Sequence, residues 1–109
     1  MAGSLTDGRA VTTDSSGNVY VAGYVFAGLD GNTMAGSSDA FVTKYDGSGV
    51  KQFTRQLGAA SAGAHGYGVA TDPSGNVFVA GDTNGGLDGN SQSGSIDFFL
   101  ARYSSSGVK

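Results

Sequence analysis

The chain has 109 residues, twenty of them Gly and one Pro, and its nine acidic residues are all Asp. Without Glu it lacks a strong helix former and keeps one that favours turns, and without Cys it has no disulfide, thiolate metal site or cysteine nucleophile. The net charge is −3, and Arg9, Lys44, Lys51, Arg55, Arg102 and Lys109 are scattered, so no basic patch points to nucleic acid or an anionic membrane.

The opening MAGSLTDGRA has neither the basic nor the apolar region of an export signal. The longest apolar stretch, residues 19–29, is broken by Gly23 and Gly28, so no membrane span is expected either. Residues 8–14 read as a strand running into Asp14-Ser15-Ser16-Gly17-Asn18, where Asp bonds the backbone ahead and Gly accepts a left-handed conformation. The β-rich run 18–25 follows and closes a hairpin. A loop over 26–38 precedes a third strand, 39–46, and the Asp-Gly-Ser-Gly turn leads into a fourth, 50–57. In the second strand Val19 and Val21 point one way while Tyr20 and Ala22 point the other, so both faces need cover. In the fourth, Phe53 and Leu57 alternate with Gln52, Thr54, Arg55 and Gln56, the polarity of a strand on an outer rim.

The same order then repeats. A shift of 58 residues carries Asp14 onto Asp72, Phe41 onto Phe99 and Tyr45 onto Tyr103, and residues 8–51 match 66–109 at 25 of 44 positions without a gap. This is a tandem duplication, and periods of roughly 20 to 50 residues or slightly more point to repeat architectures whose single unit cannot bury its own apolar surface. A four-stranded sheet that is apolar on both faces and polar at one edge fits a propeller blade, sandwiched between neighbours. The sequence therefore predicts an all-β chain of two blades, residues 1–58 and 59–109, the second lacking most of its outer strand. That leaves residues 97–103 as an open edge, which residues 1–6 are expected to cover in part.

The segments DSSGNVYVAG, GVATDPSGNVFVAG, GLDGN, DAFVTKYDGSG and KQFTRQLG together resemble the bacterial β-propeller repeat known as the SBBP repeat. The resemblance covers nearly the whole chain and implies a propeller of the kind found in large secreted or surface-attached bacterial proteins. Those carry more than two copies, so the copy number here implies a fragment or an engineered chain.

A ring needs roughly four to eight blades, so two per chain predict closure by homo-oligomerisation, head to tail. Three copies would give six blades, the expected number, and four copies would give eight. The candidate ligand-binding residues lie where loops emerge on one face: Asp30, Asn32, Asp88 and Asn90 in the repeated Leu-Asp-Gly-Asn loops, and His65 and Tyr67 between the two units. The four loop residues offer oxygen ligands to a sugar or to Ca2+. Tight turns are the preferred explanation of them, since the calcium-loop spacing breaks at Met34. No cofactor is expected. Asp14, Asp72, Asp39 and Asp97 read as turn or strand-start residues, and Tyr20, Phe41, Phe78 and Phe99 as core. With one His, no Cys and no Glu, neither a nucleophile–base pair nor two unequal carboxylates is evident, so no enzyme is expected. The reading is a self-assembling structural or scaffold module, with a carbohydrate-binding, lectin-like module as the alternative.

Overall fold

The computed structural model of the protein describes residues 6–26, 33, 35–58, 63–84 and 97–109. Seven strands follow in chain order: β1 (Thr6–Thr13), β2 (Val19–Val25), β3 (Asp39–Tyr45), β4 (Lys51–Leu57), β5 (Ala64–Thr71), β6 (Val77–Thr83) and β7 (Asp97–Tyr103). They form two antiparallel sheets, ordered β1-β2-β3-β4 and β5-β6-β7, and no described residue is helical. The strand ends differ slightly from the sequence reading. β1 starts at Thr6 because Thr6 and Asp7 pair with Val25 and Tyr24. Asp14, Asn18, Asp46 and Val50 fall outside the strands because they close the turns.

Those turns share one chemistry. Asp14 Oδ1 accepts the amides of Ser16 and Asn18 at 2.9 and 3.0 Å, while Oδ2 accepts the Asn18 side-chain amide at 2.9 Å and the Tyr20 hydroxyl at 3.0 Å. Asp46 and Asp72 repeat the backbone part, and Ser104 Oγ takes the Val108 amide at 3.1 Å in the last turn. In each turn one glycine has a left-handed backbone: Gly17, Gly49, Gly75 and Gly107, with φ of 84°, 83°, 84° and 86°. Burial pushes the Asp14 carboxyl up, but the bonds from Asn18, Tyr20 and Ser16 outweigh it and hold it below its ordinary value. Asp72 is also lowered, chiefly by the Asn76 side chain. Burial, and then the Asp14 carboxylate, push the Tyr20 hydroxyl up to about 12.

The core lies between the two sheets. On the first, Tyr20 and Ala22 of β2, Ala40 and Val42 of β3, and Phe53 and Leu57 of β4 share one face, as their register requires. They meet Val77 and Val79 of β6 with Ala101 and Tyr103 of β7, edged by Val69 and Phe99, while β5 lies against β1, β2 and β3. Polar clips close the outer side. Lys44 Nζ donates to the Ser105 carbonyl at 2.8 Å, and Arg55 Nε to the Gly107 carbonyl at 2.8 Å. Thr54, expected on a polar rim, is buried, its hydroxyl 3.0 Å from that of Thr43.

The second sheet ends at β7, and among the described residues no strand pairs with its outer side. Phe98 is 97% exposed and Leu100 70%. Thr6 is held in β1 opposite Val25 and does not serve as a cover for this edge, and residues 1–5 lie outside the described residues.

Candidate functional site

In both repeats the strand pattern breaks at the same place in the first hairpin. The β1–β2 register slips between Gly8 and Ala10, and the β5–β6 register between Gly66 and Gly68, leaving Arg9 and Tyr67 without a partner. Such bulges bend a strand and re-aim its side chains. Here they require glycine opposite: a Cβ on Gly23 would collide with the Asp7 carbonyl, and one on Gly81 with the His65 carbonyl. The two copies thus share one backbone frame but fill it with different side chains, Asp7, Arg9 and Tyr24 in the first and His65, Tyr67 and Asp82 in the second.

These six residues converge at the loop end of the sheets. Arg9 donates to Asp7 and to the Tyr24 hydroxyl, each at 2.9 Å, and its guanidinium lies 5.3 Å from the Tyr24 ring centre. The Tyr24 hydroxyl donates to Asp7 at 3.0 Å. The His65 ring stands edge-on to Tyr24, centroids 4.4 Å apart, and runs nearly parallel to Tyr67 at 6.1 Å. Its Nδ1 is 3.3 Å from Asp82 Oδ1 and its Nε2 3.4 Å from Ser38 Oγ. Burial, and then the charge of Asp82, raise the Tyr67 hydroxyl above its ordinary value. Half-exposed Tyr67 and Phe26 flank the group.

Ser38, His65 and Asp82 are connected in the order of a nucleophile relay. The hydroxyl, however, is shut in: Ser38 is 3% exposed, and a Cβ on Gly63 would stand only 2.9 Å from its oxygen. Ser38 also forms a bridge with Gly63, and its carbonyl accepts the Ala64 amide at 2.9 Å. The relay therefore ties the start of β3 to β5 and β6 across the two sheets. The cluster sets aromatic edges beside a guanidinium, two carboxylates and an imidazole. Among the described residues no three His, Cys, Asp or Glu come together as a metal site.

Of the sequence candidates, His65 and Tyr67 fall in this cluster, but on strand β5 and not in the loop expected for them, because residues 64–71 pair with β6. Asp30, Asn32, Asp88 and Asn90 lie outside the described residues. Sequence reasoning missed Asp7, Arg9, Tyr24 and Asp82. The available signal was divergence between the copies: within otherwise matching strands, positions 7 and 65, 9 and 67, and 24 and 82 differ in charge or ring.

The β-propeller repeat family SBBP matches residues 2–24 and 52–88, together more than half of the chain, and these spans take in the first hairpin up to Tyr24 and the β5–β6 hairpin with its turn. The chain belongs to the SBBP β-propeller repeat family. Its described residues form two antiparallel sheets, one of four strands and one of three. The chain is also similar to the regulatory protein FlaEY of Caulobacter vibrioides, 34% identical over 119 residues, an alignment that takes in 96% of this chain. The chain spans 12% of the length of that relative.

Proposed function

We propose that the chain is a non-enzymatic propeller repeat module that associates head to tail into a closed ring and serves as a scaffold. One observation carries this reading: equivalent residues of the two blades have opposite fates. Ala40 and Val42 are each 1% exposed because the second blade covers them, whereas their counterparts Phe98 and Leu100 are 97% and 70% exposed. With Ala80 and Phe99 they line an apolar hollow of about 570 Å³. Exposed apolar surface of this kind marks an interaction site.

The repeat also supplies the complement. Val69, Val77 and Val79 form the seat that receives the first blade, and their counterparts on the far side of the first blade are Val11, 66% exposed, and the half-buried Val19 and Val21. The exposed face of one copy's second blade therefore matches the far face of the next copy's first blade, a heterologous contact that closes by rotation. Light scattering after size exclusion should give a multiple of 10.8 kDa, three copies or four. Leu100→Asp and Val21→Asp should each reduce it to a monomer. A wild-type chain that stays monomeric at tens of micromolar would overturn the proposal.

A second reading, carbohydrate binding at the loop face, is favoured by Tyr24, His65 and Tyr67 standing beside Arg9 and Asp82. A glycan array tests it, with Tyr67→Ala as the control expected to lose any signal.

A further inference from the structure

We infer that the crevice where the turns of the two sheets meet is a binding site for a hydroxylated carboxylate the size of one sugar ring. The crevice encloses about 230 Å³. One wall is the turn 14–18 with Lys44 of β3, and the other is made by the turns 72–76 and 104–108. Two hydrogen bonds hold the walls at a fixed spacing: Thr71 Oγ1 donates to the Thr13 carbonyl at 3.1 Å, and Lys44 Nζ to the Ser105 carbonyl at 2.8 Å. The second wall is itself continuous, since a Cβ on Gly75 would stand 3.3 Å from the Ser105 side chain. The crevice is thus formed before any ligand arrives, which lowers the ordering cost of binding.

Its chemistry follows from the side chains that line it. Lys44 forms no ion pair with a described carboxylate. An ammonium group has three N–H donors, of which the Ser105 carbonyl takes one, and the rings of Tyr20 and Phe53, with centres 5.7 and 6.0 Å away, accept none of its charge as an anion would. Asp14 shares the crevice, but its two oxygens already accept the amides of Ser16 and Asn18, the Asn18 side chain and the Tyr20 hydroxyl. In the turn opposite, Ser104 stands where the first sheet has Asp46, so that turn brings no carboxylate. A carboxylate on the ligand would take the two remaining hydrogens of Lys44 in charge-assisted bonds.

The rest of the ligand is set by size and polarity. Ser15, Ser16, Ser74 and Ser105 complete the lining with hydroxyls that can each donate and accept, the match for a polyol. The volume falls below the roughly 300–1,000 Å³ of sites for drug-sized molecules, so it suits a single ring. This site is separate from the six-residue cluster, because the turns lie at the opposite ends of the strands from Arg9 and Tyr24. It is also independent of ring formation, since both walls belong to one chain.

The test titrates the intact, isotope-labelled chain with glucuronate, glucose or inorganic phosphate and follows the backbone amides by NMR. We expect saturable shifts at residues 14–18, 72–76 and 104–108 with glucuronate, about fivefold or weaker binding of glucose and of phosphate, and about tenfold weaker glucuronate binding by Lys44→Gln. Because Lys44 also lies over Tyr20 and Phe53, a second variant on the exposed rim, Ser15→Ala with Ser74→Ala, should weaken binding severalfold while leaving the rest of the spectrum in place. The inference is overturned by the absence of saturable shifts with glucuronate, by glucose or phosphate binding as tightly as glucuronate, by shifts centred on Tyr24, His65 and Tyr67, or by unchanged affinity in the two variants.

Discussion

The turn aspartates and their glycines set the local geometry on which everything larger rests. At Gly49 a Cβ would meet nothing within 4 Å, so Gly49→Ala isolates the cost of the left-handed backbone, about 1–2 kcal/mol in a denaturant titration. Gly68→Ala, equally free of neighbours but without a positive φ, should change stability by less than about 0.5 kcal/mol. Tyr20 and Phe78 occupy the same place in the two blades, so Tyr20→Phe is sterically tolerated. It removes one bond to Asp14 and should cost about 1 kcal/mol. In an alkaline absorbance titration it should also abolish the component near 12. The sign on stability follows. A tyrosine raised from an ordinary value near 10 stabilises the fold fully below that pH, and this contribution is lost as the pH rises towards about 12. Asp14 and Asp72 act in the opposite direction. Their lowered values stabilise the fold above about pH 4 and cease to do so as the pH falls through them. The melting temperature should therefore decline in acid, and less steeply in the double variant Asp14→Asn with Asp72→Asn.

At the scale of the strands, the bulges decide where the six-residue cluster forms. Alternation read from β1 assigns its side chains to two faces without interruption, but Arg9 takes no place in the ladder, and the face assignment changes across it. The same happens at Tyr67 in β5. Gly23 and Gly81 permit this because β2 and β6 must there pass close against the carbonyls of Asp7 and His65. Gly81→Ala should push β5 away from β6, cost about 1–3 kcal/mol, and pull His65 from Asp82. Chemical shifts of the His65 ring protons check the displacement. The hairpins themselves were legible in the sequence, because Asp-x-x-Gly turns between β-branched runs leave few alternatives. The bulges were not, since Gly8 and Gly66 look like any other glycine in a chain that has twenty.

For the molecule as a whole, the duplication makes the two blades each other's control. Residues at equivalent positions differ in burial where the first sheet is covered and the second, among the described residues, is not, as Val42 and Leu100 do. If ring closure shields Leu100 and Phe98, folding and association are coupled, and the apparent melting temperature should rise with protein concentration. A scan from about 5 to 500 μM checks this, and a concentration-independent midpoint for Leu100→Asp is the expected contrast.

The sequence by itself determined the all-β class, the repeat, the turn residues and the apolar character of both sheet faces, because each is written in spacing and in the few residues that accept a left-handed turn. It read the fourth strand as a polar outer rim, and the structure buries its Phe53, Thr54 and Leu57. Only the tertiary structure decided which apolar face is covered, that Arg55 and Lys44 clip the last turn, and that Asp7, Arg9, Tyr24, His65, Tyr67 and Asp82 share one site. The physical reason is that these contacts join residues from different strands and blades, through bulges and a sheet-on-sheet packing that leave no period in the chain.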